Sequence, residues 1–398
     1  MNRKLKKGLL IAGVSVLSLV LIAGVTVTGV WFNEISTLSS FKKVAERNDE
    51  DGDGAVYRMD VKGDFYFQKF LDQGGVSNDS ELISFITSNI TKGLIPMKIS
   101  ESEIGCSAFT CVTEDGDRLF ARNYDFDTTN TCLTFANPKG RHRSFSTVDL
   151  QFLGMDTRSD VKGTMNRISC LAAPYAPLDG INDAGVSCGI FMSYQGAGDG
   201  AVATDQRTDA PDITSTTMLR MILDYANNVE DAVNLVKRYD LHDSAQTSYH
   251  YMIADATGKS AILEWVNGTD RTDNDGSARE LVVTYNDDDL SVGIREGTAD
   301  YQWITNFIIQ PGYYDNLNDR YGYDRYEKIY EQLAVSDGIV KDEAAAMEIL
   351  ASVGRRTFDP DHPGITVHSV VYNLTKKTVY WVGNENYDAV KSVFHFTL

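Results

Sequence analysis

Apolar and polar positions alternate with a period of two along much of the chain, the pattern of strands with one buried face. Such runs cover residues 106–114, 118–126, 144–154, 185–194, 248–256, 260–268, 280–286, 366–374, 378–383 and 392–398. Residues 56–67, VYRMDVKGDFYF, alternate in the same way. Helical spacing takes over elsewhere. It predicts a short helix over 79–94 and a helical block over 214–240. In that block Met218, Leu219, Met221, Ile222 and Leu223, then Ala232, Val233, Leu235 and Val236, fall on common faces. Residues 324–333 and 342–354 make a further helical block. Strands in series with helices in separate blocks predict an α+β layered domain with mostly antiparallel strands, not a doubly wound sheet. No repeat of 20–50 residues is present.

The pattern breaks at the front. Behind the basic MNRKLKK, residues 8–32 run without a charge. That length crosses a bilayer as a helix, and the basic flank keeps its own side cytoplasmic. A cleaved signal would have a shorter apolar region ending at a small-x-small site, and none is convincing here. The expectation is therefore a basic flank and transmembrane anchor over 1–32, with the rest extracytoplasmic and tied to the cell membrane, or secreted if the leader is removed. Residues 33–55 are polar and acidic and read as a stalk. Asp49, Asp51, Asp53, Gly54, Val56 and Asp60 match a calcium-loop spacing, with Asp where Glu is usual at the end. A helix should follow such a loop. A strand pattern follows instead, so a solvated acidic linker is the better reading.

Charge and cysteine usage narrow the chemistry. The 398-residue chain has a formal net charge of −19 and a pI near 4.7, which repels nucleic acid. Its cysteines are Cys106, Cys111, Cys132, Cys170 and Cys188. No CxxC spacing occurs, so no metal site is expected. Outside the cell, one working thiol and four others would allow two disulfides. Buried, reduced cysteines are the equal alternative. The histidines, His142, His242, His250, His362, His368 and His395, are scattered, and none is placed to serve a thiol as base. A base can arise another way. Cutting the bond between Gly105 and Cys106 would give Cys106 a free α-amine, with a reference pKa of roughly 7.7–8.0, on the same residue as the thiol.

The stretch GCSAFTCVTEDGDRLFARNYDF carries Cys106, Arg122 and Asp125 in a C-x15-R-x-x-D frame around a DGD turn. It resembles the choloylglycine hydrolase family of linear-amide C–N hydrolases. Further resemblance runs in order through FANPKGRHRSFSTVDLQFLG, GINDAGVSCGIF, HYMIADATGKSAILEW, YQWITNF, YDRYEKIY and VHSVVYNLTKKTVYWV. The resemblance implies a four-layer αββα N-terminal nucleophile hydrolase sandwich over 106–398, with 56–105 as a prosegment packed on it. It implies Cys106 as nucleophile, Arg122 as the cation beside the thiol, and Asp125 as the acceptor for the new α-ammonium. Asn306 would be the side-chain donor of an oxyanion hole, and Arg325 the second active-site arginine. Phe191, Met192, Ser193 and Tyr194 stand where the family commonly has an Asn or Tyr at an oxyanion-hole position; a backbone N–H near Met192 would be the second donor, and Met192 and Tyr194 would touch substrate. Asn182 reads as the end of a strand turn. The implied substrate is a small-molecule N-acyl amide, conjugated bile salts and penicillin V among the candidates, with no cofactor. A homo-oligomer is compatible with this reading. Its rivals are an acyltransferase on the same core and a membrane-tethered binding protein that never matures.

Overall fold

The computed structural model describes residues 31–93, 105–194, 206–266, 279–288, 300–314 and 316–398. Among these, the strands form two large sheets and a small pair. The nine-stranded sheet runs, in spatial order, β1 (Lys42–Ala45), β2 (Val56–Val61), β5 (Thr131–Ala136), β6 (Ser144–Asp149), β7 (Asp179–Asn182), β8 (Ser187–Met192), β11 (Tyr249–Ala254), β12 (Ser260–Val266) and β13 (Glu280–Tyr285). The seven-stranded sheet runs β14 (Trp303–Ile304), β3 (Gly105–Thr113), β4 (Arg118–Phe126), β16 (Ile365–Asn373), β17 (Thr378–Gly383) and β18 (Val393–Thr397), with β15 (Ile339–Val340) also on β3. β9 (Asp212–Thr214) and β10 (Asp240–His242) pair separately.

Alternation along two central strands shows how the layers stack. On β4, Arg122 reaches the nine-stranded sheet through Asp179, while the next residue, Asn123, donates to Leu350 O on the helix Glu343–Ser352. On β8, a Cβ at Gly189 would lie 3.1 Å from Arg122 Cδ, while Cys188 Sγ faces Leu219 O on the helix Ser215–Tyr225. The order is helix, sheet, sheet, helix, and the two sheets face each other across the core. The α+β expectation holds. The block expected over 214–240 is two helices, Ser215–Tyr225 and Val229–Val236, separated where Asn228 caps the second by accepting from Asp231 N.

The β3–β4 hairpin forms at the DGD turn. Gly116 takes φ +87°, and Asp117 N donates to Thr113 Oγ1. The sequence reading missed β1, β5, the four-residue β7 and the two- and three-residue strands β9, β10, β14 and β15. All five cysteines are free and buried, the second of the two alternatives.

The front of the chain differs from its sequence reading. The anchor expected over 8–32 lies outside the described residues except for Trp31 and Phe32. Among the described residues no helix is long and apolar enough to cross a membrane. Residues 33–55, read as a stalk, instead continue a helix, Phe32–Ser40, and then supply β1, which pairs antiparallel with β2. Three of the four carboxylates of the calcium-like spacing are taken by cations, Asp49 by Arg47, Asp53 by Arg356 at 3.0 Å and Asp60 by Arg58 at 3.1 Å, while Asp51 accepts from Asn48 Nδ2. A composition that looks solvated in sequence is here neutralised, in Asp53's case by an arginine from the far end of the chain. β2 then enters the nine-stranded sheet, parallel to β5.

Candidate active site

β3 and β4 are read from both sides. β14 pairs antiparallel with β3, Ile304 opposite Ala108, and two residues on that register brings Asn306 to Cys106. Cys106 N donates to Asn306 Oδ1 at 2.9 Å. β16 pairs with β4 and sets Thr366 opposite Asp125 and, across a bulge, His368 opposite Tyr124. The helix Tyr323–Ala334 delivers Arg325 from its first turn. A cation there opposes the helix dipole, so it needs a local anion. Asp125 supplies it: Arg325 Nη1 donates to Asp125 Oδ2 at 2.5 Å.

Cys106, Arg122, Asp125, Asn306 and Arg325, scattered through the sequence, therefore meet in one fully buried cluster. Arg122 Nη2 lies 3.4 Å from Cys106 Sγ and donates to Ile190 O at 2.6 Å. Arg325 Nη1 also reaches Cys106 O at 3.3 Å, and its Nη2 donates to Asn306 Oδ1 at 2.9 Å. Burial pushes the Cys106 thiol up to about 11, while the Arg122 charge pulls the other way, Asp125 adds to the rise, and Arg325 and the Asp125 N–H favour the thiolate. In the continuous chain the thiol is thus held protonated beside a cation. Gly105 sits against the cluster. A Cβ there would come within 2.7 Å of Arg355 Nη2 and 3.2 Å of Asp125 Cβ, so a side chain would push into the groups around the Gly105–Cys106 bond.

Two of the implied roles take a different form here. Asn306 donates its Nδ2 to Met192 O at 2.8 Å, and its Oδ1 accepts from Cys106 and Arg325. Arginine can only donate, which fixes the amide orientation. In the continuous chain Asn306 therefore acts as an acceptor at Cys106 N, and Met192 contributes its carbonyl to hold Asn306. The Asp125 carboxylate is engaged by Arg325, by Thr366 Oγ1 at 2.7 Å and by Arg355 Nε at 3.6 Å. Tyr194 borders the cluster: its N donates to Asn306 O, and its ring lies 4.4 Å from that of Tyr321. Asn182 does what the sequence reading expected, accepting from Ala184 N and Val186 N in the turn after β7.

Sequence reasoning missed the group behind Arg122. Arg122 Nη1 pairs with Asp179 Oδ2, which also accepts from His368 Nε2 at 2.8 Å, and Tyr372 Oη donates to Asp179 Oδ1. All four side chains are fully buried. Burial alone would raise Asp179, but His368, Arg122 and the bonds from His368 and Tyr372 outweigh it and hold the carboxyl well below its ordinary range. Burial lowers His368 against the pull of Asp179, which favours the neutral imidazole. A signal was present: an arginine inside an apolar strand needs a buried counter-charge. Asp179 was hidden because Asp-Gly reads as a turn.

Ile190, whose carbonyl accepts from Arg122, also lines an apolar cavity of about 670 Å³, measured with its open mouth. Its lining includes Phe152, Leu153, Tyr175 and Leu178, and also Leu82, Ile83 and Ile86 from the helix Asp79–Asn89.

Residues 106–269 match the model of the linear amide C–N hydrolases, choloylglycine hydrolase family. No curated protein matches the chain. Among solved structures, a conjugated bile acid hydrolase of Clostridium perfringens is 17% identical over 74% of this chain and 92% of its own, with a TM-score of 0.47. Penicillin V acylase of Agrobacterium tumefaciens is 16% identical over 74% and 86%, with a TM-score of 0.44. An N-acylethanolamine-hydrolyzing acid amidase ortholog of Caenorhabditis elegans is 15% identical over 68% and 93%, with a TM-score of 0.40. The family resemblance read around Cys106 is thus supported over residues 106–269, which are similar to the linear amide C–N hydrolases.

Proposed function

We propose that this protein cuts its own chain between Gly105 and Cys106 and then hydrolyses linear N-acyl amides with the exposed Cys106, on the four-layer scaffold of an N-terminal nucleophile hydrolase. The observation that carries the reading is the setting of that one peptide bond. Its nitrogen is held by Asn306, the Cys106 thiol lies beside Arg122, and the Cys106 carbonyl meets Arg325, all without solvent. The family match begins at Cys106 itself, which supports the same boundary.

In the cut, Sγ attacks the Gly105 carbonyl carbon and the thiol proton passes to the Cys106 nitrogen. The C–N bond breaks and a thioester forms. Water then hydrolyses the thioester, leaving a Gly105 carboxylate and a free Cys106 α-amine. That amine, with a reference pKa of roughly 7.7–8.0, is the base of the mature enzyme. It takes the thiol proton as Sγ attacks the substrate carbonyl, gives it to the leaving amine, and activates water to release the acid. Asn306 Oδ1 keeps the amine in place, and the Arg122 guanidinium favours thiolate. Residues 8–32 behind their basic flank support a location outside the cytoplasm, tied to the membrane.

N-terminal sequencing of the purified protein, with an assay on glyco- and tauro-conjugated bile salts, penicillin V and N-acyl amino acids, tests the reading. A chain beginning at Cys106 that releases amine from one of these supports it. An intact chain inert on all of them supports a binding protein that does not mature.

A further inference from the structure

We infer that Asp212, Asp240 and His242 form a binding site for a zinc ion, on a ribbon that shares no residue with the cluster at Cys106. The inference stands apart from the amide-hydrolase reading. No cysteine takes part, which is why cysteine spacing gave no sign of a metal.

β9 and β10 run parallel, with Asp240 opposite Asp212 and His242 opposite Thr214. Residues opposite each other, and residues two apart on one strand, share a face. The register therefore puts both carboxylates and the imidazole on one face of a two-stranded ribbon. His242 Nε2 lies 3.0 Å from Asp212 Oδ1 and 3.7 Å from Asp240 Oδ1. One ligand atom from each residue falls within 4.8 Å of the other two. Ligand atoms bound at about 2.0–2.2 Å to a tetrahedral zinc ion stand roughly 3.3–3.6 Å apart. Small side-chain movements close the remaining difference.

The buried member of the three is the second observation. Asp240 is 2% exposed. Its Oδ2 accepts from Thr208 N and, at 3.1 Å, from Thr208 Oγ1. Its Oδ1 is turned toward His242, and among the described residues no hydrogen-bond donor reaches it. A buried carboxylate oxygen without a donor is costly, and a cation at this point removes the cost. Thr208 is then the outer partner that orients a ligand. The Asp212 side chain is 41% exposed, which leaves an entry path and room for a water as fourth ligand. One imidazole with two carboxylates is a nitrogen and oxygen donor set that suits zinc. The upstream segment docks on the same ribbon: Asp212 N donates to Gly74 O at 2.9 Å. An ion bridging β9 and β10 would lock the strands that hold it.

The test uses the purified full chain, stripped with a chelator and dialysed against zinc sulfate. Wild type and Cys106→Ala should each bind one zinc per chain, and Tm should rise with zinc concentration; the second chain keeps the nucleophile out of the count. Thr208→Val should lower zinc affinity roughly tenfold. Asp240→Asn and His242→Gln should each lower it further, with circular dichroism unchanged. Cobalt in place of zinc should give wild type the visible absorption of a tetrahedral site, and His242→Gln should lose it. No zinc bound by wild type, or binding unchanged in both ligand variants, would overturn the site. Should the variants not fold, the cobalt spectrum of wild type still decides: without a tetrahedral band the site falls.

Discussion

Asp179→Asn isolates the charge that balances Arg122. The substitution keeps the shape. If the new amide nitrogen replaces Oδ1, it faces Tyr372, whose hydroxyl can turn to accept. The amide oxygen then still receives Arg122 Nη1 and His368 Nε2. What disappears is the negative charge in a site where Arg122, Asp179 and His368 are all at 0% exposure. Breaking a buried pair from one side leaves the other ion uncompensated, at a cost of about 3–5 kcal/mol. That is a large part of the stability of an ordinary domain. Urea unfolding of Asp179→Asn in a Cys106→Ala background, where no maturation occurs, measures it against the parent. Adding Arg122→Met completes a cycle: once the cation is gone, a substantial part of the Asp179→Asn cost should go with it, giving a coupling of about 1–3 kcal/mol. A loss below about 1 kcal/mol, or strict additivity in the cycle, would show that Asp179 is not what balances Arg122.

Cys106→Ala should leave a single uncut chain and no amide turnover, and Cys106→Ser should cut slowly if at all; mass spectrometry of the purified chain with an amine-release assay checks both. His368 should make the fold sensitive to mild acid. Its folded pKa is depressed, so the unfolded chain takes up its proton first as pH falls through roughly 6.5, and stability present above that pH is lost below it. Against wild type, the unfolding deficit of His368→Gln should therefore be greatest near pH 8 and shrink toward pH 5; a gap that stays constant or widens would contradict this. Asn306→Ala removes the acceptor at Cys106 N and should slow the cut by orders of magnitude while Asn306→Asp retains part of it, read by gel from the ratio of cut to intact chain over time. Phe70→Ala with Phe85→Ala strips two of the rings around Tyr175, at about 3–5 kcal/mol each, and should let the upstream fragment separate from chain 106–398 on gel filtration, where the wild-type fragments stay together.

Much of the seven-stranded sheet was legible because its strands alternate cleanly and the DGD turn requires a hairpin. The site was legible only where residues lie close in sequence or where the family resemblance supplied them. Cys106, Arg122 and Asp125 share one hairpin, so strand geometry alone brings them together. Asn306 arrives through a two-residue strand, β14, too short for any periodicity to reveal. Thr366 and His368 reach the site through the β16–β4 register, and a bulge between them shifts it. Such a shift is set by tertiary pairing and leaves no mark in the hydrophobic pattern. The acidic run at 47–60 was misread for a similar reason. Its composition is that of a solvated linker, and what makes it ordered is Arg356, some 300 positions away, with Asn384 Oδ1 accepting from Gly54 N.

The position of the proposed cut decides what the front of the chain is for. Gly105 and Cys106 lie inside β3, opposite Asp125 and Tyr124, so breaking their bond frees the end of a strand already held by its ladder. Among the described residues, the upstream elements are held by contacts of their own. β2 is hydrogen-bonded along its length to β5, which belongs to the chain after the cut, and a Cβ at Gly75 would overlap Asp212 O at 1.8 Å, so close is the packing there. Val56, Met59, Val61, Phe67, Phe70, Leu82 and Ile86 are buried, at roughly 1.5–3 kcal/mol each. That burial, with the β2–β5 ladder, is what would keep the two fragments together. Release of residues 106–398 would expose the edge of β5, remove a wall of the cavity and uncover Tyr175. On this proposal the cut would create a chemical group, the α-amine, and would leave the architecture joined. Any anchor formed by residues 8–32 would then hold the catalytic fragment at the membrane through packing and sheet hydrogen bonds rather than through the peptide chain.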